Sequence, residues 1–181
     1  MTGLGDGHRV PKNSDRMRVI GEVDELNCFI GLVLTLFPQP PENPELAIGR
    51  DDLIYVQHKL FDVGGELSIP NHTIIDEDDV KHLETLIEEW NSTLSPLANF
   101  ILPGGFPLVA QLHVARAVCR RAERGLVDLH FRDEYVNPYS LKFLNRLSDF
   151  LFVLARVHSR GAEVLWDPKR GKGEWKKEKC S

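Results

Sequence analysis

Residues 115–125 read ARAVCRRAERG, with arginines at 116, 120, 121 and 124 and a glutamate at 123. On a helix, at about 100° per residue, Arg116, Arg120 and Arg124 fall along one slowly drifting stripe. Arg121 points about a quarter turn away, and Glu123 lies within reach of Arg120. Two readings fit this pattern. One is a solvated face laced with intrahelical ion pairs. The other is anion recognition, because guanidinium groups present planar, forked donors suited to phosphate oxygens, and a rigid helix would preorganise them. Spacing alone does not choose between the two. The formal net charge is -5, so the positive charge is local, which argues against general nucleic-acid binding.

Other polar residues sit inside apolar frames. Asp24 and Glu25 do so in VDELN, Asp62 and Glu66 in LFDVGGELS, and Asn145, Arg146 and Asp149 in NRLSDFLF. Helices that each bring polar groups among apolar ones either bury a polar network or build a site between helices or subunits. Lone buried carboxylates are costly, so Asp24 and Asp62 should have partners, with an arginine of the ARAVCRRAERG helix the obvious candidate.

The elements that would position these groups are helical. TGLGDGHRVPKNSD reads as a glycine-rich loop, and Ser14 or Asp15 can cap the helix that follows. That first helix carries Val19, Val23, Leu26, Ile30, Val33 and Leu34 at helical spacing, and PQPPENPE breaks it. A second helix is expected from about Leu46 to Leu67, with Leu53, Val56, Leu60, Phe61 and Val63 on its apolar positions. A third is expected from about Asp78 to Ser92, and a fourth from about Leu108 to Leu129, with Pro107 suited to the first helical position. The small-residue stripe Leu112, Ala115, Cys119, Ala122 and Leu126 would let the fourth helix pack closely. A fifth starts near Tyr139, and its pattern allows it to reach Leu165. No segment alternates like a strand. The expectation is an all-α fold, an antiparallel five-helix bundle.

The 181 residues suit one domain, here 1–181, with a loop over 1–14 and a charged tail over 167–181 expected to be mobile. The three cysteines, Cys28, Cys119 and Cys180, are odd in number and lack metal or disulfide spacing. Cys28 and Cys119 read as buried small hydrophobes. No apolar run reaches membrane-spanning length and no secretory signal opens the chain, so a cytoplasmic protein without membrane or nucleic-acid partners is expected. His58, His82, His113, His130 and His158 lack metal-ligand spacing as a set and read as ordinary helix residues.

VDELN, LFDVGGELS, FILPGG, HVARAVCRRAERG and NRLSDFLFVLAR occur in this order. With them the chain resembles the ATP:cob(I)alamin adenosyltransferases of the propanediol-utilisation (PduO) type, from about Thr2 to Trp166. The resemblance implies a ferritin-like five-helix bundle assembled as a homotrimer with active sites between subunits. It implies that ATP, with Mg2+, donates its 5′-deoxyadenosyl group to the reduced cobalt of cobalamin and releases triphosphate. It further implies that Arg120, Arg121, Ala122, Glu123 and Arg124 contact ATP, with Arg120 the strongest phosphate candidate. Asn145, Lys12, Thr2 and Gly3 join them at the nucleotide. Arg116 would pair with Asp24 across the subunit boundary. Phe100 would line the lower face of the corrin ring, where it excludes an axial ligand and makes Co(II) easier to reduce. Read from the residues alone, Phe100 is an ordinary core aromatic. An adenosylcobalamin-dependent enzyme and a flavin reductase are the implied partners.

Members of the family usually carry a segment resembling TRTGDDG just upstream of TGLGDG, where this chain reads Met1-Thr2-Gly3. Without that segment, ATP affinity is expected to fall. A rival reading follows: a corrinoid-binding carrier with little catalysis. A bare oligomerisation scaffold is a third, supported only by helical amphipathicity.

Overall fold

The computed structural model describes residues 1–37, 47–69, 71–132 and 134–170. Five helices dominate: α1 (Asp15–Thr35), α2 (Arg50–Ser68), α3 (Glu77–Asn91), α4 (Pro107–Phe131) and α5 (Pro138–Ser159). Two short strands, β1 (Thr2–Gly3) and β2 (Arg9–Val10), pair antiparallel with Thr2 opposite Val10. Local sequence explains the starts. Ser14 accepts a hydrogen bond from the Met17 amide, Asp76 and Asp79 form a reciprocal capping box, and Asn137 caps α5 ahead of Pro138. Pro107 stands at the start of α4.

The helices run alternately up and down. Arg16 of α1 reaches the Leu67 carbonyl at the end of α2, and Arg132, just past α4, pairs with Asp15 at the start of α1. Within the bundle α1 packs on α2 and α4, and α5 packs on α4 and α3. Side chains close it between α2 and α3, where Tyr55 donates to Asp79 at 2.5 Å and Lys59 lies 2.9 Å from the same carboxylate. The core is continuous and apolar, with Val19, Leu26, Leu60, Leu112, Leu126, Phe143 and Phe150 inside it. Helix α4 lies close against α1, as its small-residue stripe predicts. A Cβ on Gly125 would sit 2.9 Å from the Val19 Cγ2 and 2.6 Å from a Glu22 oxygen.

The structure differs from the sequence reading at several points. Helix α2 begins at Arg50, after Gly49 in the left-handed region at φ 79°, so it is shorter than expected at that end; Leu46 lies outside the described residues. Helix α5 stops at Ser159 because Arg160 and Gly161 both turn left-handed, at φ 51° and 78°. The apolar Val164 and Leu165 that seemed to continue it leave the helix, and Leu165 bridges to Ile101. Phe61 is exposed rather than in the core, since it directly follows the buried Leu60 and points off the packed stripe. Cys28 is exposed, whereas Cys119 is buried as expected. Of the expected mobile tail, residues 171–181 lie outside the described residues.

Candidate functional site

The up-and-down order sends the candidate residues to three stations. At one end of the bundle, the 1–14 loop sits beside the end of α2. The Gly5 amide donates to the Ser68 carbonyl at 2.9 Å, and a Cβ on Gly5 would meet Ile69 at 2.7 Å, so this loop is docked rather than free. Thr2, Gly3 and Lys12 belong to this station, with Gly3 and Lys12 exposed.

The second station lies midway along α4 and α5. Glu123 accepts from Arg120 Nη1 at 2.6 Å on one carboxylate oxygen and from Asn145 Nδ2 at 2.8 Å on the other. One carboxylate thus fixes a guanidinium from α4 and an amide from α5, and leaves their outward donors uncommitted. The Glu123 side chain is 13% exposed while that of Arg120 is 45% exposed, so the anchor is sheltered and the cation faces outward. Asn145 and Glu123 open onto a cavity of about 450 Å³ whose rim carries Lys81, Lys142 and Arg146. Arg146 is held by Glu84 at 2.9 Å and Asp149 at 3.1 Å. Arg121 pairs with Glu25 of α1, and Arg124 is exposed with no ion pair among the described residues. Ala122 is fully buried, so its role is packing, not side-chain contact with a ligand.

The third station lies toward the opposite end. Phe100 stands just ahead of α4 and is 78% exposed, its ring 6.3 Å from that of Trp166. An exposed aromatic departs from the ordinary core reading of this residue. Phe100 helps line a cavity of about 560 Å³ together with Leu97, Asn99, His113, Arg116 and Phe152. His113 and Phe152 line this cavity, and the sequence reading did not place them at a site. The signal for both was helical phase: His113 lies one turn before Arg116, and Phe152 lies two turns after Asn145.

The loop station is well separated from the other two within one protomer. From Arg120 to the end of α4 at Phe131 the helix climbs about 16 Å toward the loop station, whereas the Phe100 cavity reaches Arg116, one turn before Arg120 on the same helix. Asp24 is exposed and makes no ion pair among the described residues, and Arg116 Nε is sealed from solvent without a hydrogen-bond partner. The expected union of these two is therefore absent within the protomer. Asp62 pairs with Lys59 at 3.5 Å, one turn away on its own helix, and not with an arginine of α4.

No nucleophilic side chain is poised here. Burial pushes the Cys119 thiol well up, which keeps it protonated, and its sulfur donates to the Leu144 carbonyl. Among the described residues, no group of three or more histidine, cysteine, aspartate or glutamate side chains is placed to hold a metal ion. The arrangement suits a reaction in which both the nucleophile and the leaving group arrive with the ligands.

Comparison with known proteins places the chain in a family. The family model for cobalamin adenosyltransferase matches residues 1–158. A cobalamin adenosyltransferase of Cupriavidus metallidurans is 52% identical over 172 residues, covering 93% of this chain and 90% of the relative. A corrinoid adenosyltransferase of Bacillus subtilis is 42% identical over 159 residues, covering 86% and 80%. Among solved structures, a variant PduO-type ATP:corrinoid adenosyltransferase from Lactobacillus reuteri, complexed with cobalamin and ATP, superposes with a TM-score of 0.83. It is 34% identical and the match covers 92% of this chain and 91% of that one. With its five-helix order and these likenesses in agreement, the chain belongs to the cobalamin adenosyltransferase family.

Proposed function

We propose that the protein is an ATP:corrinoid adenosyltransferase. The lone pair of Co(I) attacks the ribose 5′-carbon of ATP, a cobalt–carbon bond forms, and the C5′–O bond breaks with its electrons leaving on triphosphate. Cobalt passes formally from +1 to +3, and no protein nucleophile is consumed. The observation that carries this reading is the single carboxylate of Glu123 that holds both Arg120 and Asn145. Negative charge grows on the leaving polyphosphate as the bond breaks. A guanidinium already fixed in place stabilises that charge with little reorganisation. Arg121 and Arg124 extend the positive face, and Lys12, Thr2 and Gly3 serve the nucleotide from the loop station.

The separation of the loop station from the Arg120 cluster and the Phe100 cavity supports a homotrimer whose sites lie between subunits. In such an assembly the loop of one protomer meets the α4–α5 face of its neighbour. The exposed Asp24 then becomes the partner of Arg116, which lacks one inside the protomer. Phe100, exposed beside a cavity, serves as the apolar wall beneath the corrin, where exclusion of a lower ligand leaves cobalt easier to reduce. Mg2+ accompanies ATP. It rides on the ATP phosphates and keeps several of its waters, as is usual for this ion. No described helix is long and apolar enough to cross a membrane, and Cys28 and Cys119 are unpaired, which fits action in the cytoplasm beside a flavin reductase and an adenosylcobalamin-dependent enzyme.

Calorimetry with ATP and Mg2+, followed by incubation with reduced cobalamin, tests the reading. Binding of ATP and appearance of the light-sensitive adenosyl product are expected. Corrinoid binding without ATP binding would instead favour a carrier.

A further inference from the structure

The cavity beside Phe100 contains an unsolved polar problem. Its walls are apolar, formed by Leu97, Phe100, Ile101 and Phe152, and its polar members are few. The Asn99 amide is already committed, donating to the Trp166 carbonyl at 2.6 Å and accepting from the Phe100 amide at 2.8 Å. That leaves His113 and Arg116. His113 is 5% exposed, and its Nδ1 is sealed from solvent without a hydrogen-bond partner among the described residues. Arg116 Nε is in the same condition one helical turn away. Buried polar atoms are nearly always paired, so two sealed orphans on neighbouring residues that line one cavity call for an explanation.

The two are chemically complementary. An arginine Nε–H can only donate, whereas a neutral imidazole accepts at one nitrogen and donates at the other. Burial, then the adjacent Arg116 charge, push the His113 pKa below its usual value, so the ring is neutral. We propose that His113 positions the corrinoid: in the loaded site its Nδ1 accepts from Arg116 Nε–H, and its Nε2–H donates to a carboxamide oxygen on the rim of the corrin ring. The flat macrocycle lies on the aromatic wall, and this single donor at the edge sets its rotation. The pairing also restrains the Arg116 guanidinium, whose terminal nitrogens stay free for Asp24 of a neighbouring copy. The inference rests on the corrinoid reading above and adds one residue to it.

The test uses the full chain carrying His113→Leu or His113→Gln, with reduced cobalamin and ATP varied separately and thermal unfolding measured in parallel. Leucine removes both nitrogens, whereas the glutamine amide can donate near the Nε2 position. His113→Leu is expected to raise KM for cobalamin about tenfold and to leave KM for ATP within about twofold. Its melting temperature should equal or exceed that of the unsubstituted protein, because a buried orphan is gone. His113→Gln should recover most of the cobalamin affinity. An unchanged cobalamin KM in His113→Leu overturns the proposal. So does a joint rise in both KM values with a lowered melting temperature in both variants, which marks a purely structural role. Failure of the unsubstituted protein to bind or convert cobalamin would overturn the corrinoid reading itself, and this proposal with it.

Discussion

Charge and shape at single residues govern the chemistry. Arg120 keeps its aliphatic stem on α4 and its head on the sheltered Glu123, so Arg120→Ala removes a phosphate donor without opening the core. Its expected effect is a loss of about 10²–10³ in kcat, the scale for removing one fixed donor from a developing charge, with the far-UV helical signal intact. Steady-state kinetics and circular dichroism check this together. Phe100→Ala should slow turnover that starts from Co(II) far more than turnover from chemically prepared Co(I), because the wall acts on the reduction and not on the alkyl transfer. A comparison of the two starting states decides it. The arginines were visible in the sequence as a stripe, but that stripe fitted a solvated face equally well. The carboxylate of Glu123, shared with Asn145 from another helix, supports the binding reading, and only tertiary packing reveals it.

Among the elements, the bundle depends on a buried polar clasp at the α2–α3 and α4–α5 turns. Glu66 accepts from the Ile74 and Ile75 amides at 2.5 and 2.7 Å, from Asn137 at 2.9 Å and from Ser140 at 2.5 Å. Glu66→Ala removes the shared acceptor of these four donors, three of them buried, and should cost about 3–5 kcal/mol, read from denaturant unfolding. Acid should also weaken the end of α5. Burial holds the His158 pKa below its usual 6.5, while its ring nitrogen bonds the Ile48 carbonyl at 2.9 Å. With the folded value depressed, the unfolded chain takes up the proton first. Stability is therefore full above the unfolded value and falls as pH drops below about 6.5, by up to about 1.4 kcal/mol per pH unit for each such group. His113 adds in the same direction. Melting curves at pH 7.5 and 5.5 should show the loss, and superimposable curves would count against it. Helix number, order and apolar faces were legible because their period is local. The ends of α2 and α5 were not, because left-handed turns at Gly49 and Arg160 override an apolar pattern that runs on. The exposed Phe61 and Cys28 were misread because apolar character does not fix which side of a helix faces the core.

At the scale of the whole molecule, the proposed trimer makes one protomer an incomplete catalyst. Its loop station lies at one end of α4, away from the Arg120 cluster and the Phe100 cavity, and in the proposed assembly a neighbour's loop completes them. Asp24→Asn should therefore lower both the trimer fraction in light scattering and the activity. It leaves Arg116 unpartnered at the boundary, at a cost of about 3–5 kcal/mol if the pair is as buried as its sealed Nε suggests. In the sequence, polar residues inside apolar helices left open a site between helices or between subunits, and only the resemblance named the subunit boundary, because a linear reading does not show which copy supplies each group. The most direct test of the central claim is a single assay of the full chain and its Arg120→Ala variant with chemically reduced cobalamin, ATP and Mg2+, in which adenosyl product and inorganic triphosphate are counted together. One triphosphate per adenosyl product from the unsubstituted chain, and almost none from the variant, is the predicted result; product formed equally by both, or none by either, would contradict it.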